Sequence, residues 1–240
     1  ENEILSVARG LISLVDAVDA VRGTGSGTVR LEGHRGAFSF AVVYSTPGWL
    51  RFDLRPELAL GPGTLTATGI VESPCATLYL PARGVALDDC LSAPVLLAGR
   101  LDAAGIPVGL PGPHIIASLD APRIARLDDG DVVVSGRLEG SAVRATFATE
   151  GGELLRLEIE EPDGARVTVT YDDYRPAGGC RLPGRVEAEI DGGDAPDVRF
   201  SLEYDSMRSV PGIERDSYRF VVPEGVTRVS WEDLDIRRRP

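Results

Sequence analysis

Few residues in this 240-residue sequence are of the types that make or break bonds. There are two histidines, His34 and His114, far apart and on loop-like sequence, which is too few for a histidine-built metal cluster. Cys75, Cys90 and Cys180 form no Cys-x-x-Cys, so a zinc ribbon or thioredoxin-like site is not expected. All 25 basic side chains are arginine, which excludes Schiff-base, pyridoxal-lysine and Walker-type chemistry. Gly23-Thr24-Gly25-Ser26-Gly27 has the composition of a phosphate loop but reads as the exit from a helix into a strand. Phosphate loops run the other way, from strand into helix. No Gly-x-Ser-x-Gly elbow occurs. The acid pairs Asp88-Asp89, Glu160-Glu161 and Asp172-Asp173 are adjacent residues. On a strand, neighbours point to opposite faces, so such pairs do not converge on one bond. The expectation is a protein that is not an enzyme and uses no cofactor and no metal.

Composition narrows the remaining classes. The chain is 43% apolar and 26% charged with a net charge of -12, a globular balance long enough to bury a large core. The acidic surplus argues against nucleic acid as a partner, since phosphates need a basic face. No apolar run reaches the roughly 18–20 residues of a membrane-spanning helix. The sequence opens on Glu1 and shows no signal-peptide pattern, so the compartment must be read from other features. Three cysteines allow one bridge and one free thiol, or three reduced thiols. In an exported chain the preferred pair is Cys75–Cys90, closing a loop of about 16 residues and contributing about 3 kcal/mol.

The elements that must position any function are mostly strands. Ile4, Leu5, Ala8, Leu11, Ile12, Val15 and Val18 recur at helical spacing and predict an N-terminal helix over 1–23, ended by Gly23, Gly25 and Gly27. Period-two alternation follows: Phe38, Phe40 and Val42; Leu50, Phe52 and Leu54; then Leu78 and Leu80. The segment 85–119 breaks that pattern and is too apolar for a solvated linker, which predicts a helical insert. Strands resume at Asp131 and run through Val169, Ile190, Phe200 and Leu202 to Phe220 and Val222. The acidic turns between them, such as Glu161-Pro162-Asp163-Gly164, are read as solvated turn chemistry. No composition shift divides 1–240, so a single domain is expected. Each strand has one apolar and one polar face. The economical solution is one curled antiparallel sheet of about eleven strands, covered by the N-terminal helix and by the insert as a lid.

Four stretches in this order resemble the LolA/LolB lipoprotein carriers of the bacterial envelope, and LolB more closely. Tyr44-Ser45-Thr46-Pro47-Gly48-Trp49-Leu50-Arg51-Phe52 looks like the family's third-strand entry. Thr46 stands where LolA-type members carry a latch arginine. Leu60-Gly61 resembles the LolB loop motif, with Ala59 in place of its proline. Leu101 to Ile116, around Gly105-Ile106-Pro107-Val108, looks like the family's helical stretch. Tyr171-Asp172-Asp173-Tyr174 followed by Leu182-Pro183-Gly184-Arg185-Val186 looks like its closing strands.

The resemblance implies a half-open antiparallel barrel whose apolar interior takes the acyl chains of lipids or lipoproteins and passes them to the outer membrane. The cavity would be lined from the sheet by Phe38, Phe40, Val42, Phe52, Leu78, Leu80, Val169, Phe200 and Leu202. The lid would contribute Leu96, Leu97, Leu101, Ile106, Ile115 and Ile116. Leu58 and Leu60 would form a membrane-insertion loop. The protein would be a monomer, held to the outer membrane by an N-terminal lipid anchor, facing the periplasm and receiving cargo from a periplasmic carrier protein. Apart from the resemblance, binding an acyl chain needs apolar area rather than reactive groups, at about 0.8 kcal/mol per buried methylene. The alternative is a non-catalytic envelope assembly or scaffold lipoprotein that uses the sheet as a docking surface.

Overall fold

The computed structural model describes residues 18–31, 34–45, 49–56, 67–72, 75–89, 107–110, 119–138, 140–149, 151–192 and 197–229. The first half of the chain supplies β1 (Ala20–Leu31), β2 (His34–Ser45), β3 (Trp49–Pro56), β4 (Ala67–Glu72), β5 (Cys75–Leu80) and β6 (Val85–Asp89). The second supplies β7 (Asp120–Arg126), β8 (Val132–Leu138), β9 (Ser141–Phe147), β10 (Leu154–Glu160), β11 (Arg166–Ala177), β12 (Cys180–Asp191) and β13 (Val198–Val210). A short β14 (Thr227–Val229) follows.

These strands form one open sheet in the order β14-β6-β5-β4-β3-β2-β1-β13-β12-β11-β10-β9-β8-β7. Each half is an antiparallel meander, and the two are joined where β1 pairs with β13 from Ala20↔Val210 to Leu31↔Val198. The alternation expected of the sequence is what the structure shows. Phe40, Val42, Tyr44, Leu50, Val134, Ala145, Leu157, Val169, Val186 and Leu202 point to one face and form a continuous core. The acidic turns close through backbone hydrogen bonds, but Glu161 is buried rather than solvated, with Ser141 Oγ donating to its Oε2 at 2.6 Å. Between β10 and β11, Glu161 N–H donates to Ala165 O and Gly164 N–H to Glu161 O, and Gly164 sits at φ +90°.

Several sequence expectations are corrected. Among the described residues the sheet has fourteen strands rather than about eleven, and its last pair, β14 on β6, is parallel. The expected N-terminal helix overruns its end. Residues 20–23 are strand, and Gly23, Gly25 and Gly27 lie inside β1 instead of ending a helix. The glycines are tolerated there because aromatic rings from neighbouring strands fill the space their side chains would need. His34 opens β2 rather than sitting in a loop. Val85–Asp89 is strand, not insert, and strands resume at Asp120. Phe220 and Val222 lie in irregular chain, since the segment leaves the sheet after Val210 and regains it at Thr227. Among the described residues no α-helix occurs, only 3-10 turns such as Pro81–Arg83 and Arg215–Tyr218. The rest of the predicted helix, and most of the predicted lid, fall outside the described residues.

Topology explains what the insert must do. β6 lies beside one edge of the sheet and β7 forms the other edge, so the chain between them passes from one side of the sheet to the other. Its described middle, 107–110, lies on the apolar face, with Val108 fully buried. The Tyr204 hydroxyl donates to the Pro107 carbonyl at 2.7 Å. On the opposite face, residues after Val210 cross back over β1 to β5. The Arg22 guanidinium stacks on the Tyr218 ring at 5.0 Å, Arg51 Nη1 donates to the Tyr218 carbonyl, and Phe220 stacks on Tyr79.

Candidate functional site

The inner face is built on glycines that lie under aromatic rings. A Cβ at Gly23 would lie 2.9 Å from the Tyr204 ring, one at Gly25 2.9 Å from Phe40, one at Gly27 2.6 Å from Phe38, and one at Gly69 1.9 Å from Phe52. Each ring therefore lies flat on the backbone of a neighbouring strand. Phe38, Phe40 and Tyr204 form a row, tilted at 6.3 Å and then edge-on at 5.0 Å. The result is an apolar wall of aromatic rings packed on backbone.

Burial falls along the strands. At one end Val21, Val42, Tyr44, Leu50, Tyr171, Val186 and Tyr204 are all buried. At the other, Phe38, Phe52, Leu54, Ile190 and Phe200 are only half-buried, and Val29 is 36% exposed. The face is thus covered at the first end and open at the rim where β1 ends and β2 and β13 begin, while Ile159 and Val167 farther along the rim stay buried.

Three tyrosines lie at the covered end. Tyr204 holds the insert through Pro107, and Tyr174 donates to the Leu154 carbonyl at 2.5 Å. The Tyr171 hydroxyl is buried and has no hydrogen-bond partner among the described residues. Burial pushes all three phenols above the ordinary tyrosine range. Tyr171 is raised further by Tyr174 and Tyr204, and Tyr174 by Glu153 against the opposing pull of Arg181. They are neutral side chains across the physiological range.

Of the sheet residues expected to line a cavity, Phe40, Val42, Val169 and Leu202 are buried on this face, while Phe38, Phe52 and Phe200 are half-buried toward its rim. Leu78 and Leu80 share the face by register, Leu78 opposite Gly69 and Leu80 opposite Val85, and are half-buried beyond the continuous core. Leu58, Leu60, Leu96, Leu97, Leu101, Ile106, Ile115, Ile116 and Cys90 lie outside the described residues. Cys75 is disulfide-bonded, and Cys180 is a free thiol whose pKa burial raises. Tyr44, Tyr171 and Tyr204, which continue the alternating runs but are not among the expected cavity residues, also lie on the inner face. The reading from sequence missed the glycines, whose period-two run between Val21 and Val29 is a strand signal.

The outer face is of another kind. Its grooves are lined by mixed charges, as around Arg123, Arg137, Arg144, Glu158 and Arg166. Cross-strand pairs such as Arg144–Glu158 and Arg199–Glu189 offset one another. Among the described residues, no three His, Cys, Asp or Glu side chains converge as a metal site requires.

Three solved structures share the fold of this single wide open sheet. A DUF1329 family protein of Desulfovibrio piger superposes with a TM-score of 0.64 at 10% identity, covering 90% of this chain and 97% of that one. A domain of Vibrio parahaemolyticus described as an outer membrane lipoprotein-sorting protein gives 0.56 at 9% identity over 90% and 95%. A LolA superfamily protein of Nitrosomonas europaea gives 0.56 at 15% identity over 89% and 97%. At such identities the likeness is one of fold. No family model and no curated protein sequence matches the chain.

Proposed function

We propose that the chain is a non-catalytic carrier or acceptor of lipid or lipoprotein acyl chains in the cell envelope. The observation that carries the reading is the inner face itself: an aromatic wall laid on glycines, buried at one end and half-buried at an apolar rim. Such a face gains free energy from any methylene chain that displaces water from it, without a reactive group. The solved relatives described as lipoprotein-sorting and LolA-superfamily proteins support the same reading.

The finer reading is LolB-like. The protein faces the periplasm from the outer membrane as a monomer held by an N-terminal lipid, and takes cargo from a periplasmic carrier. Leu60 dips into the bilayer. The flanks of its loop, Pro56 and Ala67, lie at the end of β3 and the start of β4, and Pro56 pairs with the rim residue Phe38. Burying one leucine gains about 1.5–3 kcal/mol, too little to anchor a protein by itself, which is why the lipid anchor belongs to the proposal.

The test is native mass spectrometry of the purified protein for co-purified lipid, alongside Leu60→Glu. Lipid should be bound by the wild type. The variant should keep its circular dichroism and its bound lipid but lose transfer to liposomes. A protein that carries no lipid would favour the docking-surface alternative, and unchanged transfer would make Leu60 an ordinary surface leucine.

A further inference from the structure

Arg35 on β2, Arg30 on β1 and Arg199 on β13 stand directly opposite one another across two strand pairs. All three are exposed on the outer face. Residues so placed have Cβ atoms about 5 Å apart, and like charges there repel. Arg199 is relieved by Glu189, its opposite number on β12. Arg30 and Arg35 have no hydrogen bond or ion pair among the described residues. The row therefore holds three positive charges against one negative, on a chain whose net charge is -12. It borders a groove of about 460 Å³ that Arg156 and Glu187 also line, Glu187 being paired with Arg185. Among the described residues nothing offsets Arg30 and Arg35, which leaves the row open to an anion.

Its position says which anion. Arg30 and Arg199 are one residue from the ends of their strands, at the rim where the inner face opens. Val29, next to Arg30, and Phe200, next to Arg199, are directly opposite each other and belong to that apolar rim. Charge on the outer face and apolar surface on the inner face thus meet at one edge. That is the layout of a surface that sits among lipid phosphates with acyl chains just beyond them.

We propose that this rim docks on a bilayer through the phosphates of anionic phospholipids, with Arg30, Arg35 and Arg199 as the contacts. The proposal rests on reading the inner face as an acyl-chain site, because docking brings that opening to the bilayer. The test is co-sedimentation of the full chain with vesicles of phosphatidylcholine alone and of phosphatidylcholine with one third phosphatidylglycerol. The chain should bind the second and not the first, and high salt should abolish binding. Arg30→Gln with Arg35→Gln should weaken binding roughly thirtyfold, about fivefold per arginine. Arg30→Lys with Arg35→Lys should retain it. Arg83→Gln with Arg137→Gln, the same charge change elsewhere, should leave it unaltered. Equal binding by the glutamine pair, or indifference to phosphatidylglycerol, would overturn the proposal. So would displacement by millimolar inorganic phosphate, which would mark a site for a single free anion. Co-purified lipid in the glutamine pair, read by native mass spectrometry, separates the two readings: it should match the wild type even if docking fails.

Discussion

Gly25 has no room for a side chain. A Cβ there would come within 2.0 Å of the Glu203 carbonyl oxygen and 2.9 Å of the Phe40 ring, and a backbone oxygen in a paired strand cannot move aside. Gly25→Ala should therefore destabilise the fold by about 2–3 kcal/mol. Gly36 is the control, since its Cβ would meet only Val29 Cγ1 at an ordinary 3.5 Å. Gly36→Ala should be neutral or stabilise by about 0.4–1 kcal/mol, because the unfolded chain loses freedom. Urea midpoints of the two variants decide it, and equal effects would mean that the aromatic wall is not packed on β1. The tyrosines make a second prediction at this scale. Tyr171, Tyr174 and Tyr204 have folded pKa values above the unfolded value near 10. Below that pH both states hold the protons and stability is flat. Above it the unfolded chain releases them first, so stability falls by up to about 1.4 kcal/mol per pH unit for each tyrosine. Melting temperatures between pH 8 and pH 11, roughly spanning the phenol range, should show this alkaline loss, and a flat profile would contradict the burial of the cluster.

At the scale of elements, the described part of the insert, 107–110, is tied to the sheet by a hydrogen bond from Tyr204 to the Pro107 carbonyl. Tyr204→Phe keeps the ring on Gly23 and removes only that hydrogen bond. The expected cost is about 1 kcal/mol, with faster amide exchange at Val108 and Leu110 and a shallower alkaline loss by one proton. Unchanged exchange would mean that apolar packing alone holds the insert. That the insert is apolar and must pack was legible in the sequence, because 85–119 interrupts alternation without becoming polar. Where β1 begins was not. Val15, Val18 and Val21 continue a helical spacing, while the period-two run Val21-Gly23-Gly25-Gly27-Val29 counts as an apolar face only once Phe38, Phe40 and Tyr204 are known to lie on it. Those rings come from partner strands, so the deciding information is not local. The same holds at the edges. β7 and β14 have little alternation of their own and are strands because β8 and β6 offer them partners.

For the whole molecule, one sheet with one buried face followed from alternation on both sides of a single apolar insert. The order of strands did not. Nothing in β1 or β13 taken alone says that two meanders join there, and nothing in 211–229 says that this chain crosses the outer face. Both depend on pairings that form only when the halves meet. That crossing segment contributes to the whole sheet, because it ties the central strand β13 to the far edge β6. Arg22 stacks under Tyr218, Phe220 lies on Tyr79, Thr227 N–H donates to Gly84 O, and Arg228 pairs with Asp88. Trp49, only 3% exposed, lines the same groove as Arg215, Phe220 and Val222. With Trp231 replaced by Phe, Trp49 is the remaining tryptophan of the two in the chain. Ending that variant at Val210 should shift Trp49 emission to longer wavelength and lower the urea midpoint, while far-ultraviolet circular dichroism stays that of a β protein. The covering segment removes water from Trp49 and Tyr79, and its loss returns them to solvent. Emission unchanged by the truncation would show that Trp49 is shielded by the sheet itself, and the segment would then be an appendage rather than part of the fold.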